Sequence, residues 1–470
     1  MRVTLCIFLL SLTLGVTTSN ILSSWNEFAL ECVRYNKSSP TVASRAVAIM
    51  SVSIHDSFCS ITSFKYKSYK YALADLTFSA SDVSLEAIAV AASHTVLVAL
   101  FPNQMAKIDT KYFEDLEALG ETVKVFNGVY VGTRVARSVL ADRATDGDVP
   151  YKPYSSGAGQ GSWIPTPPSF SQAETPQWAT MRPWCLKSAD QFRPPAPPSI
   201  VSAIYMQDHN TVALLGKLNN SMRTQEESDI AAFWHYKSIR TWDLVAENTA
   251  LCKRFDLIDQ AHLYTLLNLA LADAAIMAWD AKYHYGQWRP LTAIRTVIST
   301  SENHLFSDPL WNPLLETPPW PDYVSYRAAL GATAAQMLIR MFGNTYSFNI
   351  TSSKQKVTRS YSSFWSAAFE EAQSQVYAGS HFNTSCMVGL QCGKMVADWI
   401  YDQCFQQNNN NINPTNNNIA LIVILSLIGS VLLIIIIVVV VCVIRRKKKA
   451  EQKSPFVLEE VDSQSNQDLQ

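Results

Sequence analysis

The most chemically specific stretch of the chain is Asp280-Ala-Lys-Tyr-His-Tyr-Gly-Gln-Trp-Arg-Pro-Leu-Thr-Ala-Ile-Arg295. Lys282 and Arg289 stand two helical turns apart, which predicts both cations on one face. Pro290 is expected to stop the helix and hold Arg289 at its end. A solvated basic face is the plain alternative, but Trp279, Tyr283, Tyr285 and Trp288 make the surroundings too aromatic for one. Two partly buried cations need a fixed anion, and a tetrahedral oxyanion is a natural partner.

Outward from this stretch, apolar periodicity predicts helices over Ser44–Ile61, Ser84–Phe101, Val123–Asp142, Gln225–His235, His262–Tyr285, Ser325–Phe342 and Ser362–Tyr377. Few runs alternate strictly. Trp163–Pro168 and Arg193–Pro198 are proline-rich and read as extended loops, and Thr317–Asp322 sits directly before a helix start. The pattern predicts an all-α fold of helical bundles with long proline-rich loops wrapped across it.

The two ends read differently from this middle. Residues 1–19 resemble a signal peptide, with Arg2 before a short apolar core that falls below the ~17 residues needed to span a bilayer. Ile419–Ile444 carries no charge and no proline and exceeds the ~20 residues of a membrane helix. Arg445, Arg446, Lys447, Lys448 and Lys449 follow, which predicts a cytosolic C-terminus. Residues 20–407 would then form one extracellular or luminal domain, 408–418 an asparagine-rich stalk and 445–470 a polar cytoplasmic tail. A single-pass protein of the plasma membrane or another secretory or endosomal membrane is the expectation.

Sequons at Asn36, Asn219, Asn349 and Asn383 all fall on the outer side and are glycosylation candidates. Cys32, Cys59, Cys185, Cys252, Cys386, Cys392 and Cys404 would meet an oxidising compartment; their odd number leaves at least one free or paired with another chain. Cys442, at the inner edge of the span, is a palmitoylation candidate or a plain apolar cysteine. The net charge of −1 gives no reason to expect a nucleic-acid partner.

Lys-x6-Arg-Pro, within Trp279-Asp280-x-Lys282-Tyr-x-Tyr285-x-x-Trp288-Arg289-Pro290-x-Thr292-Ala293-Ile294-Arg295, resembles the first oxyanion motif of the vanadium-dependent haloperoxidases and their type 2 phosphatidic acid phosphatase relatives. Ser44-Arg45 through His55-Asp56, Gly161–Pro168, Arg223-Thr224-Gln225 to Trp234, and Thr317–Tyr323 are similar to other parts of that family, so the likeness runs from about Trp25 to Asp398. It implies two four-helix bundles and a site for vanadate or phosphate built from a lysine, two arginines, a serine and a glycine amide. One histidine would act as acid–base and a second would bond vanadium or the phosphoryl group.

Carried over residue by residue, Lys282 and Arg289 match, and Ser325 matches within Tyr323–Arg327. There Tyr326 replaces a glycine and Arg327 replaces the acid–base histidine. In the third motif Ser374, Gly379 and His381 match, Gln375 replaces the second arginine, and Ser385 stands where an aspartate is common. His381 is thus the implied catalytic residue and vanadium ligand, with Lys282, Arg289, Ser325 and Arg327 as oxyanion holders. An arginine stays protonated and cannot exchange a proton, so the change at Arg327 removes a contribution of ~10²- to 10⁴-fold.

Three functions follow as expectations: an oxyanion-binding pseudoenzyme with weak or lost catalysis, an active peroxidase or phosphatase, and an adhesion or receptor domain keeping the fold alone. An active enzyme would use hydrogen peroxide and halide, or a phosphate ester, with His284 or His55 as the replacement acid–base group. A glycan on Asn383 would crowd the entrance.

Overall fold

Nine helix starts among the described residues follow short polar side chains. Asn20, Ser39, Ser84, Thr122, Ser202, Thr224, Asp256, Ser325 and Ser363 each accept a hydrogen bond from a backbone N–H of the following turn. The computed structural model describes residues 20–405, apart from 63–64, 220, 236–237, 298–304 and 353–355. The expected signal peptide, stalk, membrane helix and tail, with Cys442, lie outside these residues.

The described residues form α1 (Ile21–Tyr35), α2 (Pro40–Ile61), α3 (Leu85–Leu100), α4 (Met105–Leu119), α5 (Val123–Arg143), α6 (Ala203–Leu215) and α7 (Gln225–Trp234). After these come α8 (Ser238–Cys252), α9 (Leu257–Tyr285), α10 (Pro290–Thr296), α11 (Tyr326–Phe342), α12 (Phe364–Tyr377) and α13 (Asn383–Gln403). One antiparallel hairpin, β1 (Phe348–Thr351) with β2 (Thr358–Tyr361), separates α11 from α12. All seven helices expected from periodicity are present. The six others and the hairpin went unpredicted.

α9 is the axis. It is apolar on every side and buried from Gln260 to Lys282, as a helix enclosed by others must be. It is the one unbroken helix among the described residues long and apolar enough to cross a membrane, and that apolar window lies wholly inside the domain. α2, α3 and α5 pack together with α9 on one side, and α11, α12 and α13 on the other, so α9 serves two bundles. Gly128 and Gly132 let α5 approach the backbone of α3 at distances no side chain could share.

Two carboxylates on α9 pin the long loops. Asp273 accepts the backbone N–H groups of Trp184, Cys185 and Leu186 at 2.7, 2.7 and 2.9 Å. Asp280 holds Arg193 through two bonds of 2.6 Å. The prolines after Arg193 are then fixed by Tyr285 Oη, donating to Pro194 O at 2.6 Å, and Tyr323 Oη, donating to Pro195 O at 2.8 Å. Cys185 and Cys404 form a disulfide, joining this loop to the end of α13. Cys32, Cys59, Cys252, Cys386 and Cys392 are free.

Replacing Asp273 by Asn turns an acceptor for three buried amides into a group that must also place two N–H donors there. Asp273→Asn is expected to lose on the order of 3 kcal/mol of stability, read by urea unfolding; a loss under about 0.5 kcal/mol would show that the loop does not depend on it.

Candidate functional site

The turn carrying Arg289 differs from the expectation. Pro290 does not stop the helix: α9 ends at Gly286, which adopts the left-handed conformation at φ 58°, and Pro290 opens α10 with Arg289 as its N-cap residue. Proline is favoured at that first position because its missing N–H has no partner there anyway. The positive φ favours glycine at this position, and a Cβ there would also press on the Tyr154 hydroxyl at 2.5 Å. The proline loop pairs across this turn, with Trp163 N donating to Gly286 O at 2.7 Å and Trp288 N to Gly161 O at 2.8 Å.

Lys282 and Arg289 therefore do not share a continuous helix face, yet they converge on one segment. Lys282 Nζ donates to Pro321 O and Asp322 O, both at 2.9 Å, and Arg289 Nε donates to Trp320 O at 2.7 Å. Both side chains are fully buried. Three successive carbonyls of the loop before α11 thus meet the two cations. That loop delivers Asp322, which the sequence reading passed over as a site residue.

Asp322 is fully buried, with Oδ1 2.9 Å from His381 Nδ1 and 3.6 Å from Arg289 Nη1. Oδ1 completes an aligned hydrogen bond with neither, so the pairing is electrostatic. Its other oxygen accepts from the Ser385 hydroxyl. Ser385 stands where the resemblance leads one to expect an aspartate, so the missing carboxylate reaches His381 from a different segment.

His381 sits in the turn between α12 and α13. Ser380 N and His381 N both donate to Gln375 O, at 3.0 and 3.3 Å. Gly379, at φ 75°, makes the turn possible, because a Cβ there would lie 2.5 Å from Gly216 O. Arg289 Nη1 donates to Ser380 O at 2.8 Å and lies 3.0 Å from His381 Nε2. With Nδ1–H facing Asp322, Nε2 accepts from Arg289.

Burial, with Arg289 adjacent, lowers the His381 pKa from 6.5 to about 3, so the imidazole is neutral at ordinary pH. Burial also lowers Arg289 to about 10, still charged, and pushes the Lys282 ammonium well below the usual lysine range, with Arg289 adding to the effect. Burial opposes ionisation of Asp322, but His381, Arg289 and Ser385 together hold it below the usual carboxylate range. Arg289 is thus neutralised by a carboxylate of the chain itself.

The other expected residues lie as follows. Ser325 is the N-cap of α11, its Oγ accepting from Ala328 N at 3.5 Å. Arg327 does not turn toward the cations: it donates to Trp234 O at 2.8 Å and His235 O at 2.6 Å, and its charge faces buried Glu371. The oxyanion-holding role expected of it is therefore not seen among the described contacts. Tyr326 is buried against Trp279, with Oη 3.4 Å from Pro40 O, and Gln375 Nε2 donates to Ser374 Oγ at 2.9 Å.

Neither proposed replacement acid–base group reaches the site. His284 is exposed beside Tyr285, and His55 is buried against Asp56 and His262 on α9's first turns. Asn219 and Asn349 are exposed. Asn36 and Asn383 are half-buried, Asn36 bonding Asn103 and Gln104 and Asn383 accepting from Gln373 at 3.4 Å.

Several buried polar atoms on these segments have no hydrogen-bond partner: Arg289 Nη2, Trp288 Nε1, Trp320 Nε1, Tyr205 Oη, Gln287 Oε1 and Thr317 Oγ1. Buried polar atoms are nearly always paired, but unpaired ones also lie elsewhere in the core, Trp25 Nε1, Ser93 Oγ and Trp184 Nε1 among them, so they do not by themselves mark a ligand site. The unpaired donors and the neutral imidazole fit a tetrahedral oxyanion in chemistry; the Asp322 carboxylate opposes one in charge.

Known proteins agree with this architecture. Residues 262–410 match the family described as the VCPO second helical-bundle domain. The vanadium chloroperoxidase of Curvularia inaequalis is 32% identical over 94 residues, a match spanning 18% of this chain and only 15% of that relative. The structure of the first bacterial vanadium-dependent iodoperoxidase superposes with a TM-score of 0.73 at 26% identity, covering 82% of this chain and 96% of that one. A holo-type bacterial vanadium-dependent chloroperoxidase superposes at 0.62 with 17% identity, over 77% and 91% of the two chains, which speaks to the fold alone. These matches support placing the chain with the vanadium haloperoxidase and type 2 phosphatidic acid phosphatase superfamily, the family model covering residues 262–410.

The depressed His381 pKa makes the fold sensitive to acid. The folded state binds fewer protons than the unfolded one between pH about 6.5 and about 3, so stability is full above this window and falls as pH drops through it. His209 and His262, lowered by burial, act in the same direction. His381→Gln is expected to flatten the pH dependence of unfolding by up to about 1.4 kcal/mol per pH unit there. An unchanged slope would mean that His381 titrates alike in the folded and unfolded chain.

Proposed function

We propose that this chain is a haloperoxidase-like oxyanion-binding protein in which catalysis is weak or lost. The observation that carries the reading is Asp322 lying against both Arg289 and His381, while other donors of the same segments stay unpaired. Arg289 and His381 would hold vanadate or phosphate, with Trp288 and Trp320 N–H groups adding donors. When bound, vanadate would supply the activation of peroxide; His381 Nε2 would have to leave Arg289 to bond it. With Arg327 committed to the end of α7, no described group offers the acid–base step that peroxide or a leaving alcohol needs.

The runner-up is an active enzyme, using peroxide and halide or a phosphate ester. It is favoured by the neutral state of His381 and the carboxylate beside its Nδ1, an arrangement suited to a ligating or nucleophilic imidazole. A domain that keeps the fold for adhesion alone is the third reading, and the unpaired donors beside the buried Lys282 and Arg289 speak against it.

Calorimetric titration of the purified chain with orthovanadate separates the three. Saturable binding lost in Arg289→Ala, without peroxide-dependent halide oxidation or phosphate release, is the expected result. Asp322→Asn should bind at least ~10-fold more tightly, since one like charge at the ligand costs on the order of 1.4 kcal/mol or more. Turnover abolished by His381→Ala would establish the active enzyme; no binding by either protein would leave only the retained fold.

We also propose that the domain is secreted and tethered as a single-pass type I membrane glycoprotein, on the apolar run Ile419–Ile444 and its basic flank. Glycosidase-sensitive mass and protease attack from outside intact cells are expected. Protection of the domain in intact cells and susceptibility after permeabilisation would instead place it in an internal compartment or the cytosol, which the glycosidase result then separates.

A further inference from the structure

Asp56 and Asp273 are each buried among several donors; Asp243 is buried with one. It lies on α8 and receives a single hydrogen bond, from Asn26 Nδ2 of α1 at 3.0 Å. Asp243 Oδ1 has no partner, and neither has Asn26 Oδ1, although both atoms are buried. Two acceptors of one pair are thus left over together. An amide and a carboxyl can satisfy each other fully, but only when the carboxyl carries a proton, because an ionised carboxylate has no donor to offer the amide oxygen.

Among the described residues no basic side chain pairs with Asp243. Glu247, one turn on along α8, and Glu27, the neighbour of Asn26 on α1, both disfavour a negative charge there. Arg240, one turn before Asp243, is taken by Glu27 at 2.5 Å, and Arg34 lies with Glu27 and Glu31. α9 brings the Tyr264 hydroxyl, 3.3 Å from Ser23 Oγ. α2 brings Met50, Ser51 and Ile54, which line a small cavity beside Asn26, and Ser51 Oγ already accepts from Asn268 Nδ2 at 3.1 Å. Lys111 of α4 reaches α1 at Ser24 and pairs with Asp115. Burial raises the Asp243 carboxyl from 3.8 to about 7, against the Asn26 bond and with Glu247 and Glu27 adding to it.

We propose that Asp243 and Asn26 form a proton-dependent latch between α1 and α8. In the closed state the neutral carboxyl donates from Oδ1 to Asn26 Oδ1 while Asn26 Nδ2 donates back to Oδ2. Ionisation sends that proton to solvent, breaks one of the two bonds and leaves a buried charge without a cation. A carboxyl held above its ordinary pKa contributes stability that is full below about 3.8 and is lost as pH rises to about 7. The sign is opposite to that of the buried histidines, which weaken the fold as pH falls. The bridge between Glu27 and Arg240 joins the same two helices, so ionisation weakens the contact of α1 with α8 without dissolving it.

Amide hydrogen exchange of the full chain at about pH 6 and about pH 8, corrected for intrinsic rates, reads the latch. Protection of α1 should fall roughly ten-fold over that interval relative to α11, as one proton held in the closed state and lost in the open one requires. Asp243→Asn puts a permanent N–H donor where the acid has its proton, so α1 should keep its acid-side protection at both values. Infrared difference spectra of the native chain against Asp243→Asn should show an acid carbonyl band at about pH 6 that gives way to carboxylate bands at about pH 8. Carboxylate bands already present on the acid side would overturn the latch, as would a native-like loss of protection in Asp243→Asn. If that variant fails to fold, the native chain decides alone: α1 protection that is flat, or that rises with pH, overturns the proposal.

Discussion

A buried cation must be neutralised, and at the heart of this domain two of them stand together. Lys282 and Arg289 have no access to water, and removing an ammonium and a guanidinium from solvent costs several kcal/mol each unless fixed partners replace it. The chain answers with the carbonyls of Trp320, Pro321 and Asp322 and with the Asp322 carboxylate. That requirement sets the path of the loop before α11. It also carries the Asp322 carboxylate to within 2.9 Å of His381 Nδ1. Geometry that would hold an external oxyanion is here stabilised by an internal one, so an external ligand has to compete with a carboxylate that is already in place.

The same helix that carries Lys282 orders the rest of the domain. α9 offers Asp273 to a run of three amides and Asp280 to Arg193, and these contacts draw the proline-rich loops over the ends of the bundles. A carboxylate buried among several backbone donors replaces its hydration with fixed dipoles, and Asp56 repeats the device on α2. Long loops without regular structure are thereby positioned as firmly as helices. The hydroxyls of Tyr285 and Tyr323 then place Pro194 and Pro195 beside the oxyanion segment.

Much of this was legible in the sequence, and the limits have physical causes. Helices with a sustained apolar face, such as α5 and α11, declared themselves by periodicity. α1 and α4 carry at least as sharp an apolar face, with Trp25, Phe28, Ala29, Cys32 and Val33 buried at helical spacing on α1, so their pattern was legible and went unread. Proline at position 290 was read as a stop when it is a start, because the left-handed turn at Gly286 had already ended α9. The demand of two cations for an anion was legible, but the assumption that the anion must come from outside hid Asp322. An aspartate beside Pro321, just ahead of a helix and within reach of a buried cluster, was the available signal. The partnership of Ser385 with Asp322 was not legible, since it joins positions 63 residues apart.

The replacement at Arg327 fits this electrostatic pattern. An arginine placed beside Lys282 and Arg289 would have stacked a third cation in a site with a single carboxylate. Instead its guanidinium caps the carbonyls that end α7 and faces Glu371, which also accepts from Trp242 Nε1 at 2.8 Å. The charge introduced where the resemblance implies a proton-exchanging histidine is thus matched by a separate buried carboxylate. Each buried cation in this half of the domain has its own anion or carbonyl set, and that arrangement holds the fold without drawing on a bound ligand. The site's chemistry then rests on whether a ligand can displace Asp322 from Arg289, which is a question of competing charges within a frame that the superfamily fold already keeps in place.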